Sequence, residues 1–148
     1  MRISQWTDKL KRLGALEWAQ RYLLLRAAGW LAIARLMLVV LPFSRLMSNL
    51  TGDETSECFE ADPALVSSVA WAVAVAANHV PWRSDCFPQS IAARMLLRRY
   101  DYESTIHIGV ERSGESEIAG HAWLTCNGVV VTGGNDLDRY TEVHTLTA

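Results

Sequence analysis

GHAWLTCNGVVVT, Gly120–Thr132, is the stretch whose reading decides the fold. Gly120 to Cys126 reads as a strand, and Val129 to Thr132 as the strand that returns beside it. Asn127-Gly128 between them is a strong hairpin signal, because both residue types accept the positive φ of a two-residue turn. Just upstream, Ser104–Arg112 (STIHIGVER) alternates as a third strand does, closed by a turn at Ser113-Gly114. The periodic segments before Ser104 read as helices. Helices first and an antiparallel sheet afterwards predict an α+β fold.

Working back from the sheet, Ser84–Tyr100 reads as a helix. Ile91, Met95 and Leu96 mark its apolar face, and Arg94, Arg98 and Arg99 its wet one. Ala64–Asn78 is a helix rich in Ala and Val, ended by His79-Val80-Pro81. Leu50–Pro63 (LTGDETSECFEADP) is polar, carries five acidic residues, and reads as a linker. Gln5–Leu25 and Ala27–Leu50 complete the helical half, with a kink at Gly29 and an end near Pro42. The expected organisation is a basic, apolar helical segment over residues 1–50, an acidic linker over 51–63, and a domain over 64–148.

Charge supports that division. Residues 1–50 carry eight Lys/Arg against Asp8 and Glu17, while the rest of the chain is acidic, within an overall charge of −2. No Lys/Arg cluster interleaved with aromatics points to nucleic acid. The 148 residues, half of them apolar, suffice for one real core. Cys58, Cys86 and Cys126 are odd in number and contain no CxxC pair, so neither a disulfide framework nor a zinc knuckle is signalled. A reducing cytoplasm is the expected compartment, with no metal or cofactor.

Leu23–Phe43 has the look of a membrane segment, but Arg26 and Arg35 interrupt it. A span wants roughly 18 or more apolar residues. The two arginines, nine residues apart, also fall on opposite sides of a helix. A buried or partner-docking helix is expected, with membrane-surface contact through residues 20–45 as the second option and a true span as the third. No small-residue cleavage site of a signal peptide follows the run.

PWRSDCFPQS, Pro81–Ser90, holds the candidate nucleophile. Ser84 or Asp85 can cap the helix that follows, which sets Cys86 in the first turn. There the helix dipole and unpaired N–H groups favour thiolate over thiol. The same N–H groups can serve as an oxyanion hole. The plainer reading of Cys86 is a small buried hydrophobe.

Of His79, His107, His121 and His144, the third has the most suggestive neighbours, Gly120 and Ala122, which leave room for a substrate. If Asn127-Gly128 form a two-residue turn, His121 lies opposite Gly134, and Asp136 is its diagonal neighbour on one face, about 7–8 Å away. A three-residue loop with a bulge sets His121 opposite Gly133 and puts Asn135 on that face. Asp138 is a third candidate. Cysteine attacks a carbonyl, imidazole keeps it ionised and protonates the leaving amine, and an acid or amide fixes the ring.

Pro81-Trp82-Arg83, Cys86-Phe87-Pro88-Gln89, Ile108-Gly109-Val110, His121-Ala122-Trp123 and Gly128-Val129-Val130 together resemble the transglutaminase-like leader peptidases of lasso-peptide biosynthesis. The likeness runs from about Ala64 to Val143, and the Arg-dotted helical segment ending in Leu41-Pro42-Phe43 is similar to the N-terminal region of stand-alone members. The resemblance implies a papain/transglutaminase-like cysteine protease that frees the core of a ribosomally made precursor peptide. A small leader-recognition protein would present the precursor, and an ATP-dependent cyclase would close the macrolactam. It maps Cys86 to the nucleophile and His121 to the base. Many members carry Asp about a dozen residues after that His. Gly133 stands there in this chain, so Asp136 is taken as the acid of the triad. Trp82, as an indole donor to an oxyanion or a cleft wall, and Gln89, one turn past Cys86, are further candidates. Cys58 and Cys126 read as structural. The competing readings are another acyl transferase or amidase on the same fold, a non-catalytic partner-binding module, and a scattered Cys/His metal site.

Overall fold

The computed structural model describes residues 17–51, 60–113 and 117–147. Helices α1 (Trp18–Val40), α2 (Phe43–Leu50), α3 (Pro63–Ala77) and α4 (Cys86–Arg98) precede strands β1 (Thr105–Ser113), β2 (Glu117–Cys126) and β3 (Val129–Thr132). A 3-10 turn (Leu137–Arg139) leads to β4 (Thr141–Thr147), which closes the order. The α+β expectation holds, with helices followed by a four-stranded antiparallel sheet in the order β3-β2-β1-β4.

Local chemistry sets the boundaries. Asp62 accepts from the Ala64 N–H at 2.9 Å and Pro63 opens α3, so cap and first turn are pre-organised together. Helix α1 runs without interruption through Gly29. It ends at Val40, ahead of Leu41-Pro42 and near the expected end, where proline disfavours a helical preceding residue. The expected start of a helix at Gln5 lies outside the described residues, as does most of the acidic linker. Strand β4, which takes in His144, has no counterpart among the three strands the sequence predicts.

Strand alternation sorts the sheet into two faces. Ile106, Leu124, Cys126 and Leu146 are buried against the helical layer with Ile91, Leu96 and Leu97 of α4. Leu23, Ala27, Leu31 and Ala34 of α1 belong to the same core, as do Val69, Ala72 and Val73 of α3. The apolar N-terminal helix therefore packs into the body formed by the rest of the chain. His107, His121 and Trp123 lie on the opposite face of the sheet. Arg94 is buried between these layers. Its Nη2 donates to the carbonyls of Ser104 and Leu146, both at 3.1 Å, and so ties α4 to the start of β1 and the end of β4. Arg94 had been expected on the wet face of its helix. The two carbonyls at the strand ends satisfy Nη2, while Nε and Nη1 are buried without a partner, so the burial of this guanidinium is only partly compensated.

The hairpin has the two-residue turn the sequence predicts. Cys126 pairs with Val129, and Asn127 and Gly128 take φ of 48° and 74°. One step on, a bulge shifts the register: Thr125 pairs with Val130 but Leu124 with Thr132. The ladder ends where Leu124 pairs with Thr132, so His121 has no partner on β3. The extra residue within β3 breaks the uniform register on which both expected alignments, to Gly134 and to Gly133, depend.

Candidate active site

Cys86 is the first residue of α4, half-buried and free. Asp85 is the N-cap residue, but its side chain does not cap. It pairs with Arg83 at 3.4 Å instead, so the first-turn N–H groups keep no side-chain acceptor. These are the groups an acyl oxyanion requires. Two polar atoms in the approach to Cys86, Trp82 Nε1 and Ser84 Oγ, are buried with no hydrogen-bond partner. Native structures leave few such groups, and functional sites are one place where they persist. Gln89 points back along the chain, donating from Nε2 to the Ser84 carbonyl at 2.7 Å, and thereby braces the loop before the cysteine.

The far side of that first turn is fixed to the sheet. Ser90 Oγ donates to the Cys86 carbonyl at 3.0 Å and lies 3.2 Å from Thr132 Oγ1, the latter contact fully buried. The next residue, Gly133, offers its carbonyl to His121 Nε2 at 2.7 Å. A carbonyl can only accept, so Nε2 carries the proton. In the neutral ring Nδ1 then holds the lone pair, which is the form a base needs. His121 is further sandwiched by rings, with Tyr140 at 4.6 Å and Trp123 at 6.1 Å between centroids.

The Cys86 turn and His121 thus meet the same short segment, Thr132-Gly133, from its two sides. Thr132 pairs with Leu124 on the helix-facing side, whereas His121 pairs with Gly109 on the other. Cys86 and His121 share no hydrogen bond in this state. Asp136 is exposed, with left-handed backbone at φ 54°, and stands ahead of the 3-10 turn. Its carboxylate is not bonded to His121; its charge acts on Arg139. Asn135 and Asp138 are also exposed. Cys126 is buried in the core, where burial, and secondarily Glu103, pushes its thiol up, in keeping with a structural role. Cys58 lies outside the described residues.

Two features of the site carried no sequence signal. Tyr140 reaches His121 only because the 3-10 turn folds back over the sheet. His107 is held between Glu142, 2.6 Å from Nδ1, and Thr125, 2.8 Å from Nε2, and stacks on Trp123 at 5.2 Å. Strand pairing brings those partners together from β4 and β2. Among the described residues no group of His, Cys, Asp and Glu could hold a metal ion.

A model of the transglutaminase-like superfamily matches residues 23–145. The chain belongs to this superfamily. The matched region starts inside α1 and ends inside β4, so it takes in the N-terminal apolar helix together with the Cys86 helix and the sheet. Comparisons with curated proteins and with solved structures returned no match. Membership in the transglutaminase-like superfamily points to cysteine-protease or acyltransferase-type chemistry. Both begin with a thiol attacking a carbonyl carbon and differ in whether water or an amine resolves the acyl-enzyme.

Proposed function

We propose that this chain is a cysteine peptidase that removes the leader from a ribosomally made lasso-peptide precursor, leaving a free α-amine on the core for macrolactam formation. The observation that carries the reading is the setting of Cys86: a free thiol at an uncapped helix N-terminus, approached by a loop with two unpaired buried polar atoms. In this reading Cys86 attacks the leader–core carbonyl, and the first-turn N–H groups receive the oxyanion, with Trp82 Nε1 as a further donor. His121 takes the thiol proton and returns it to the leaving amine; water then releases the leader. The reading requires His121, which projects from the sheet face opposite α4, to leave the Gly133 carbonyl side of the sheet and be carried round to the sulfur when substrate binds. In the present state the Gly133 carbonyl fixes the ring, the role expected of Asp136. The partners are the precursor, a small leader-recognition protein that presents it, and an ATP-dependent cyclase that consumes the product.

The test incubates the protein with precursor and recognition protein and reads masses. Two fragments at the leader–core junction, lost in Cys86→Ala and His121→Ala, are expected. Undiminished cleavage by Cys86→Ala would sink the proposal. A cross-linked product in place of fragments would assign the chain to the acyl transferases.

A further inference from the structure

The outward side of α1 carries an inference that does not depend on the peptidase reading. Among the described residues α1 alone is long and apolar enough to cross a membrane. A helix that is apolar all round is ordinarily covered on every side, by protein or by lipid. Here protein covers one side. Leu23, Leu24, Ala27, Leu31 and Ala34 face the core, while Trp18, Leu25 and Leu36 are 82, 74 and 63 % exposed. Tyr22, Ile33 and Val40 are exposed with them. At 3.6 residues per turn these six fall within roughly 40° of one line, forming a stripe roughly 33 Å long.

Charge indicates what covers the stripe. Trp18 to Leu50 contains Arg21, Arg26, Arg35 and Arg45 and not one Asp or Glu. On α1 the arginines fall roughly 60–120° to either side of the stripe, where guanidinium groups can reach phosphates while their stems lie along apolar surface. Arg26 sits 5.5 Å from the Tyr22 ring centroid, and its Nη2 is buried without a partner. A second copy of the chain would bring the same arginines together. A spanning orientation would strip Ala27, Leu31 and Ala34 out of the protein core. We propose that α1 docks the folded protein in the plane of an anionic lipid surface, with its stripe in the acyl boundary and its arginines on headgroup phosphates.

The test is co-sedimentation of the full chain with vesicles of phosphatidylcholine alone and of phosphatidylcholine with phosphatidylglycerol. Binding to the anionic vesicles, weakened by added salt, is expected, with little binding to the neutral ones. Arg35→Gln should lower affinity roughly fivefold. Leu25→Glu with Leu36→Glu should abolish binding while leaving the thermal unfolding midpoint unchanged, because both side chains are exposed. Failure of the wild-type chain to bind, or equal binding by the double variant, overturns the proposal. Retention through alkaline carbonate extraction would show a span and overturn it too. So would self-association without vesicles that the double variant loses. No readout is precursor cleavage, so failure of the peptidase reading leaves this test intact.

Discussion

The Nε2–H of His121 donates to the main-chain carbonyl of Gly133 at 2.7 Å. An imidazole whose tautomer is set by a backbone carbonyl does not depend on a carboxylate for its orientation. Asp136→Ala, Asn135→Ala and Asp138→Ala are therefore each expected to lower kcat/KM by less than about tenfold. Losing a group that directly sets the tautomer of a catalytic histidine costs about 10⁴ in rate. Steady-state cleavage of the precursor by the three variants decides the point. A loss of about a thousandfold in Asp136→Ala would show that its carboxylate moves onto the ring.

The carbonyl is placed by a glycine that the backbone demands. Gly133 has φ of 72°, and a Cβ there would lie 2.4 Å from the Ala122 carbonyl oxygen. Gly133→Ala should destabilise the fold by about 1–3 kcal/mol through backbone strain alone, more if the strand end must shift. Chemical denaturation measures this. The same variant should weaken precursor cleavage, because the backbone shift that relieves the clash moves the carbonyl to which His121 donates.

Gly109 makes a different close approach, on the outward face. A Cβ would meet the Trp123 ring at 2.8 Å and Tyr140 Cβ at 3.0 Å. Gly109→Ala should cost about 1–3 kcal/mol by overpacking. It should also disturb the Trp123–His121–Tyr140 stack, which the near-ultraviolet dichroism of the variant reports.

Cys86 and Cys126 should separate cleanly in thiol reactivity. Cys126 is buried, and burial pushes its pKa up, so it remains the neutral thiol through neutral pH. Iodoacetamide treatment of the native protein at neutral pH, followed by peptide mass mapping, should modify Cys86 and spare Cys126 until the protein is unfolded.

Arg94 is the buried charge on which the helix–sheet junction depends. Its pKa is lowered to about 10, by burial first and then by Arg98. Arg94→Ala leaves the Ser104 and Leu146 carbonyls without their donor. Loss of such a buried partner should destabilise by about 2–4 kcal/mol, measured as a fall in the midpoint of denaturant unfolding. Because the folded pKa lies below the unfolded one, the penalty for burying this charge is present at neutral pH. It is relieved only as pH rises through about 10.

Much of the fold was legible because it rests on local rules. The period of two in STIHIGVER, the positive-φ pair Asn127-Gly128 and the proline-broken helices each act within a few residues. The placement of Cys86 in a first turn followed the same way. The bulge in β3 was not legible, since no residue between Val129 and Thr132 announces it; the step arises where β3 meets the helices behind it. That one-residue step, and the end of the ladder where Leu124 pairs with Thr132, break the uniform register on which the expected alignment of His121 with Gly134 depends. Arg94 was misread because its carbonyl partners lie at opposite ends of the sheet.

The sequence by itself determined the order of helices and strands, the hairpin turn, the cysteine at a helix start and the basic, acid-free character of Trp18–Leu50. These follow from periodicity, turn chemistry and composition, which are properties of neighbours. Only the tertiary structure decided which group holds His121, which side of α1 the protein covers and which polar atoms near Cys86 stay unpaired. Those depend on contacts between residues far apart in the chain, where packing and strand register, not local preference, choose the partner.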